Sequence, residues 1–72
     1  GFVKKVKVGL NSYYAQQGVV PKYEVVKSKD MNDPEKFKFD PLTDTGVIFI
    51  EEDTREVYTL DSTGKKQPII NM

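Results

Sequence analysis

Seventy-two residues, 38% of them hydrophobic and 31% charged, describe one small globular domain whose core is thin. The chain has no cysteine and no histidine, which excludes disulfide frameworks, thiolate chemistry, zinc–thiolate sites and the commonest general base. Eleven basic residues balance eleven acidic ones, but residues 1–39 hold eight lysines against four carboxylates and residues 40–72 three basic residues against seven carboxylates. This +4/−4 division reads first as two solvated faces and second as a dipolar subunit able to stack head to tail. No clustered basic patch with interleaved aromatics accompanies it, so nucleic acid is not an expected partner.

Residues 2–17 carry the first element. At 100° per residue Phe2, Val3, Val6, Leu10, Tyr13, Tyr14 and Gln17 fall in one arc of about 120°, the width of a core-facing stripe. Strict strand alternation fails because Lys4 and Lys5 sit together between two valines. The spacing predicts an amphipathic helix that buries Phe2, Val6, Leu10, Tyr13 and Tyr14 against a sheet and leaves Lys4, Lys5 and Lys7 outside. Gly18 is placed to end it in a left-handed conformation, with Pro21 three residues beyond.

Residues 19–45 read as a mainly irregular stretch. Residues 23–26 form a candidate short strand, and "NDPEKF" a single helical turn with Asp33 as cap and Pro34 at its first position. "FDPLTDTG" has the composition of turns. Residues 46–60 predict a β-hairpin, "GVIFIEE" and "EVYTL", with Val47 and Phe49 on one face and Ile48 and Ile50 on the other. An apolar run facing both ways suits a central strand covered by the helix on one side and by loops or a partner on the other. "STGKKQ" is a further turn, and residues 66–71 a tail or edge strand in which Pro68 is tolerated. The expected fold is α+β: an N-terminal helix on a small antiparallel sheet of two or three strands.

Chemistry-bearing motifs are few. The Gly-Lys pair in "STGKK" lacks the spacing of a phosphate loop, and the carboxylates of "EEDTRE" are expected to be solvated at a hairpin tip. Neither catalytic, cofactor-binding nor metal-binding residues are assigned, and the chain is expected not to be an enzyme.

The order of motifs resembles the type IV pilin-like proteins, a group that includes type II secretion pseudopilins and competence pilins. Leu10, Tyr13, Tyr14, Gly18 and Pro21 stand where that family ends its first helix with a leucine, an aromatic pair, a glycine and a proline. Asp40 and Pro41 resemble its Asp-Pro loop, and Tyr58, Leu60, Ser62 and Gly64 its strand followed by a Ser-x-Gly turn. The resemblance implies a structural subunit of a pilus or pseudopilus filament that acts by assembly. Its partners would be other copies of itself or related subunits and an inner-membrane assembly platform, with Lys4, Lys5 and Lys7 as assembly contacts.

The same resemblance implies a hydrophobic helix half ahead of Phe2 that anchors the parent protein, and a place in the cell envelope or outside the cell. The opening glycine is consistent with a longer precursor. Major pseudopilins bind calcium through an acidic tail after the Ser-x-Gly turn. Here Lys65 and Lys66 occupy that place, and two ammonium groups repel a cation that needs oxygen ligands, so no cofactor is expected. The alternative function is a small extracellular or cell-envelope binding module of a larger protein, with the hairpin edge as contact surface.

Overall fold

The computed structural model describes residues 1–69. Its elements are α1 (Phe2–Ala15), β1 (Lys22–Val26), α2 (Ser28–Met31), β2 (Val47–Glu51), β3 (Glu56–Leu60) and β4 (Lys66–Pro68). The four strands form one mixed sheet in the order β1-β2-β3-β4. β1 runs parallel to β2 with Lys22 beside Val47 and Val26 beside Glu51, while β2–β3 and β3–β4 are antiparallel. The α+β class therefore stands. The expected two or three antiparallel strands are corrected to four, one of them parallel. Of the expected C-terminal edge strand, residues 66–68 are β4, and residues 70–71 lie outside the described residues.

β2 organises everything else, because all five of its residues are buried. Ile48 and Ile50 join Val6 and Leu10 of α1 in one cluster, edged by Phe2, Val3, Tyr14, Tyr23, Val57 and Ile69. Val47 and Phe49 face the other way and pack with Tyr58 and Leu60 beneath Val26, Met31, Phe37 and Phe39. The second cover comes from the crossover between β1 and β2. A parallel pair needs a connection of a dozen residues or more, and residues 27–46 supply it. Their apolar side chains are too scattered to show a period, so the stretch reads as loop in the sequence.

Local chemistry holds that crossover in place. Ser28 donates its backbone N–H and its hydroxyl to the Asp53 carboxylate at 3.0 and 2.5 Å, tying the start of α2 to the β2–β3 turn. These residues are 25 apart in sequence, and α2 was not expected. The turn at "NDPEKF" forms with Asp33 as its cap: Glu35 N–H donates to Asp33 Oδ1 at 2.9 Å and Phe37 N–H to the Asp33 carbonyl at 3.0 Å. It delivers the Phe37 ring edge-on to Phe49, with centroids 5.7 Å apart.

α1 has no side-chain cap bond at its start and no acidic residue in its first turn, so burial of its apolar face has to stabilise it. Val6 is 2% and Leu10 3% exposed. The helix ends at Ala15 rather than residue 17. Gly18 N–H donates to the Ala15 carbonyl and Val19 N–H to the Tyr14 carbonyl, with Gly18 at φ 73°. These paired bonds are a Schellman closure, which requires a left-handed residue at the glycine position.

One member of the predicted stripe is misplaced. Tyr13 is 56% exposed and packs edge-to-face on Tyr14 at 5.1 Å instead of on the sheet. Phe2 lies on the same flank of the helix, but the Arg55 guanidinium covers its ring at 5.7 Å. Tyr13 receives no such cover. We expect Leu10→Ala to lower stability by about 2–4 kcal/mol and Tyr13→Ala by about 1 kcal/mol or less. Denaturant melts of the two variants measure this, and equal losses would mean that the ring of Tyr13 is part of the core.

Candidate functional site

The buried charge in this domain is Glu51, 1% exposed, and it is the only buried polar or charged side chain among the described residues. It continues the Val47–Phe49 face of β2 and looks across the sheet at β3 and β4. Tyr58 donates its hydroxyl to Glu51 Oε2 at 2.6 Å, Thr54 donates to Oε1 at 2.7 Å, and Lys66 Nζ reaches Oε2 at 3.2 Å. The ammonium also lies 4.7 Å from the centre of the Tyr58 ring. Burial alone would raise the Glu51 pKa, but the hydrogen bonds from Tyr58, Thr54 and Lys66 and the Lys66 charge together hold it below the ordinary value. Burial and the bond to Glu51 push the Tyr58 phenol far above its usual range.

This corrects the expectation that the carboxylates of "EEDTRE" are all solvated. Glu52 and Asp53 are exposed, but Glu51 is a core residue. Strand alternation carries the signal: Glu51 is two places after Phe49, and Glu51 and Tyr58 point to the same face of adjacent strands. Every donor the carboxylate meets belongs to this fold, and no buried side-chain polar atom among the described residues lacks a partner. A buried carboxylate with both oxygens hydrogen-bonded within the fold and a lowered pKa is a structural anchor, with no proton to give near neutral pH.

The predicted helix residues divide by face. Phe2, Val6, Leu10 and Tyr14 lie in or against the α1–sheet cluster, whereas Tyr13 does not. Lys4 and Lys5 are exposed. Lys7 is half-buried, with its Nζ 5.5 Å from the Tyr23 ring centre and its carbonyl accepting from the Tyr23 hydroxyl at 3.3 Å. That hydroxyl also donates to Asn11 Oδ1 at 2.7 Å. Glu52 lines the same surface depression as Lys4 and Lys7. Lys4 and Lys7 at the helix start thus lie near Glu52 of the hairpin turn within one molecule.

Elsewhere the acidic residues serve turns. Asp61 accepts from the hydroxyl and N–H of Thr63 and the N–H of Lys65 at 2.6–3.0 Å, and these bonds hold its pKa at about 2. The turn they close brings Gly64, at φ 84°, so near Phe39 that a Cβ there would meet the ring at 3.1 Å. Asp40 and Asp44 close the Asp-Pro loop in the same manner. Among the described residues no group of three or more His, Cys, Asp and Glu side chains is placed to hold a metal ion, and no helix is long and apolar enough to cross a membrane. No protein-family model, curated protein or solved structure matches the chain.

The Glu51 network makes stability pH-dependent with a defined sign. Because folding lowers this pKa, its contribution is present above the unfolded value of 4.5 and is lost as pH falls through the lower folded value. Tyr58→Phe should reduce stability by about 1–3 kcal/mol by removing a donor from a buried carboxylate, and should move the acid-unfolding midpoint to higher pH. Acid titrations followed by circular dichroism test this, and an unchanged midpoint would show that the phenol does not stabilise the charge.

Proposed function

We propose that this chain is the folded part of a pilus or pseudopilus filament subunit, which works by assembly and not by catalysis. The observation that carries the reading is the arrangement of α1. One face of the helix, centred on Val6 and Leu10, is committed to the sheet. The opposite face, with Lys4, Lys5, Val8 and Ser12, is exposed along its length and is free to pack against other subunits. The aromatic pair, the left-handed Gly18 and Pro21 then turn the chain into the sheet, in the order that the resemblance to pilin-like proteins implies.

In this reading the parent protein resides in the cell envelope or outside the cell, held by an apolar segment ahead of Phe2. That segment supplies most of the cohesion. Exposed charges are screened within about 8 Å at physiological salt, so Lys4 and Lys5 orient neighbouring subunits rather than hold them. The open edge of β1 favours a second reading, a small binding or interaction module of a larger protein.

Two measurements separate them. The full-length gene should encode about 20 apolar residues directly before Phe2, and its product should form filaments visible by electron microscopy. Reversing Lys4 and Lys5 to glutamate should impair filament formation while leaving the domain's melting curve unchanged. A polar linker or a second domain ahead of Phe2 would overturn the filament reading in favour of the module, and normal filaments from the reversed variant would remove the lysines from the contact.

A further inference from the structure

The two edges of the sheet are built differently. β4 is three residues long and carries Lys66 and Pro68, features that discourage pairing with another strand. β1 is five residues long, "KYEVV", and has no proline within it. The Val26 carbonyl accepts from Glu52 N–H of the chain continuing β2. Since backbone groups alternate sides along a strand, Lys22, Glu24 and Val26 turn theirs toward β2. Tyr23 and Val25 turn theirs outward, and among the described residues those groups have no hydrogen-bond partner. Beside this edge Val25 is exposed and Val20 is 93% exposed.

We propose that two copies of this chain associate edge to edge through β1, antiparallel about a two-fold axis at Tyr23, with Lys22 of each copy opposite the partner's Glu24. The side chains select this register. Residues directly opposite in an antiparallel pair share a face, so centring on Tyr23 creates two Lys–Glu pairs. Moving the centre one residue either way sets Glu24 against Glu24 or Lys22 against Lys22, which is unfavourable. The chosen register also makes Tyr23 a hydrogen-bonded pair with itself, through the outward groups. It lets Val25 N–H donate to the partner's Pro21 carbonyl; Pro21 has no N–H to return, so the Val25 carbonyl is left to solvent at the end of the pair. Val20 comes to lie opposite the partner's Val26, beside the apolar cluster that Val26 edges.

Space permits the contact. α1 packs on Ile48 and Ile50 of β2, one strand in from the edge. Two such helices would stand roughly 14 Å apart across three strand spacings, beyond the roughly 10–12 Å diameter of a helix. The contact is isologous and closes at two copies. It uses none of the exposed α1 face on which the filament reading rests, so either can fail without the other.

Sedimentation equilibrium of the 72-residue chain tests it. A contact of this size belongs with small, weak interfaces, so we expect a monomer–dimer equilibrium with a dissociation constant of about 0.1–1 mM. Lys22→Glu or Glu24→Lys alone sets like charges opposite and should weaken association about tenfold. The double variant Lys22→Glu/Glu24→Lys restores opposite charges and should restore dimerisation. Val25→Pro removes an outward N–H and should give a monomer, with circular dichroism confirming that the fold persists. Monomer alone up to about 2 mM, open-ended association, or a double variant as weak as the single ones would each overturn the proposal.

Discussion

A strand whose five consecutive residues are all buried has two faces to cover, and the rest of this domain is the means of covering them. A single amphipathic helix shields one face of a sheet, and a chain of 72 residues has little left for the other. Here the second cover is the crossover itself, a segment with one short helix and two turns that lays Met31, Phe37 and Phe39 over Val47 and Phe49. The parallel pairing of β1 with β2 follows from the same need. An antiparallel β1 could have been reached by a short turn, and that turn would have left Phe49 in water.

Glu51 shows how such a strand can end in a charge. At the fifth position β2 is still inside the sheet, yet the chain must begin to turn toward β3. A carboxylate there receives Thr54 from the turn, Tyr58 from β3 and Lys66 from β4, so one side chain ties three successive segments together. An apolar residue of similar volume would fit the cluster but would leave the Tyr58 hydroxyl without its acceptor. On the opposite side of the strand end, Asp53 does comparable work for the crossover by receiving both donors of Ser28.

Much of this was legible in the sequence where the signal is periodic or local. The spacing of Val6, Leu10 and Tyr14 marks the helix face, the two-sided run "VIFI" marks a central strand, and Gly18, Asp33 and Asp40 mark closures whose bonds are made within a few residues. What escaped is non-local. The parallel register of β1 and the existence of α2 each depend on partners 25 residues away, and no short window on the sequence contains both members; Glu51, whose face strand alternation does mark, is sealed by Lys66 from 15 residues away. Tyr13 escaped for a different reason: a helical wheel ranks it beside Phe2, but only the fold decides which member of a flank is covered. The site was less legible than the fold, because its candidates are surfaces, and a surface is defined by what the chain leaves uncovered.

The parallel pair also sets how far the chain must close on itself. β1 pairs with a strand whose residues lie 25 positions further along the chain, and the apolar surface on which α1 docks includes Ile48 and Ile50 of that same strand. α1 is closed at its C-terminal end but has no side-chain cap at its start, so it draws its stability from the apolar surface that β2 provides. The β2–β3 hairpin is made of near neighbours, whereas β1 and α1 reach it across longer loops, closures whose entropy makes such topologies slow. The closure that brings residues 22–26 beside 47–51 is therefore the step that turns a local hairpin into the whole sheet.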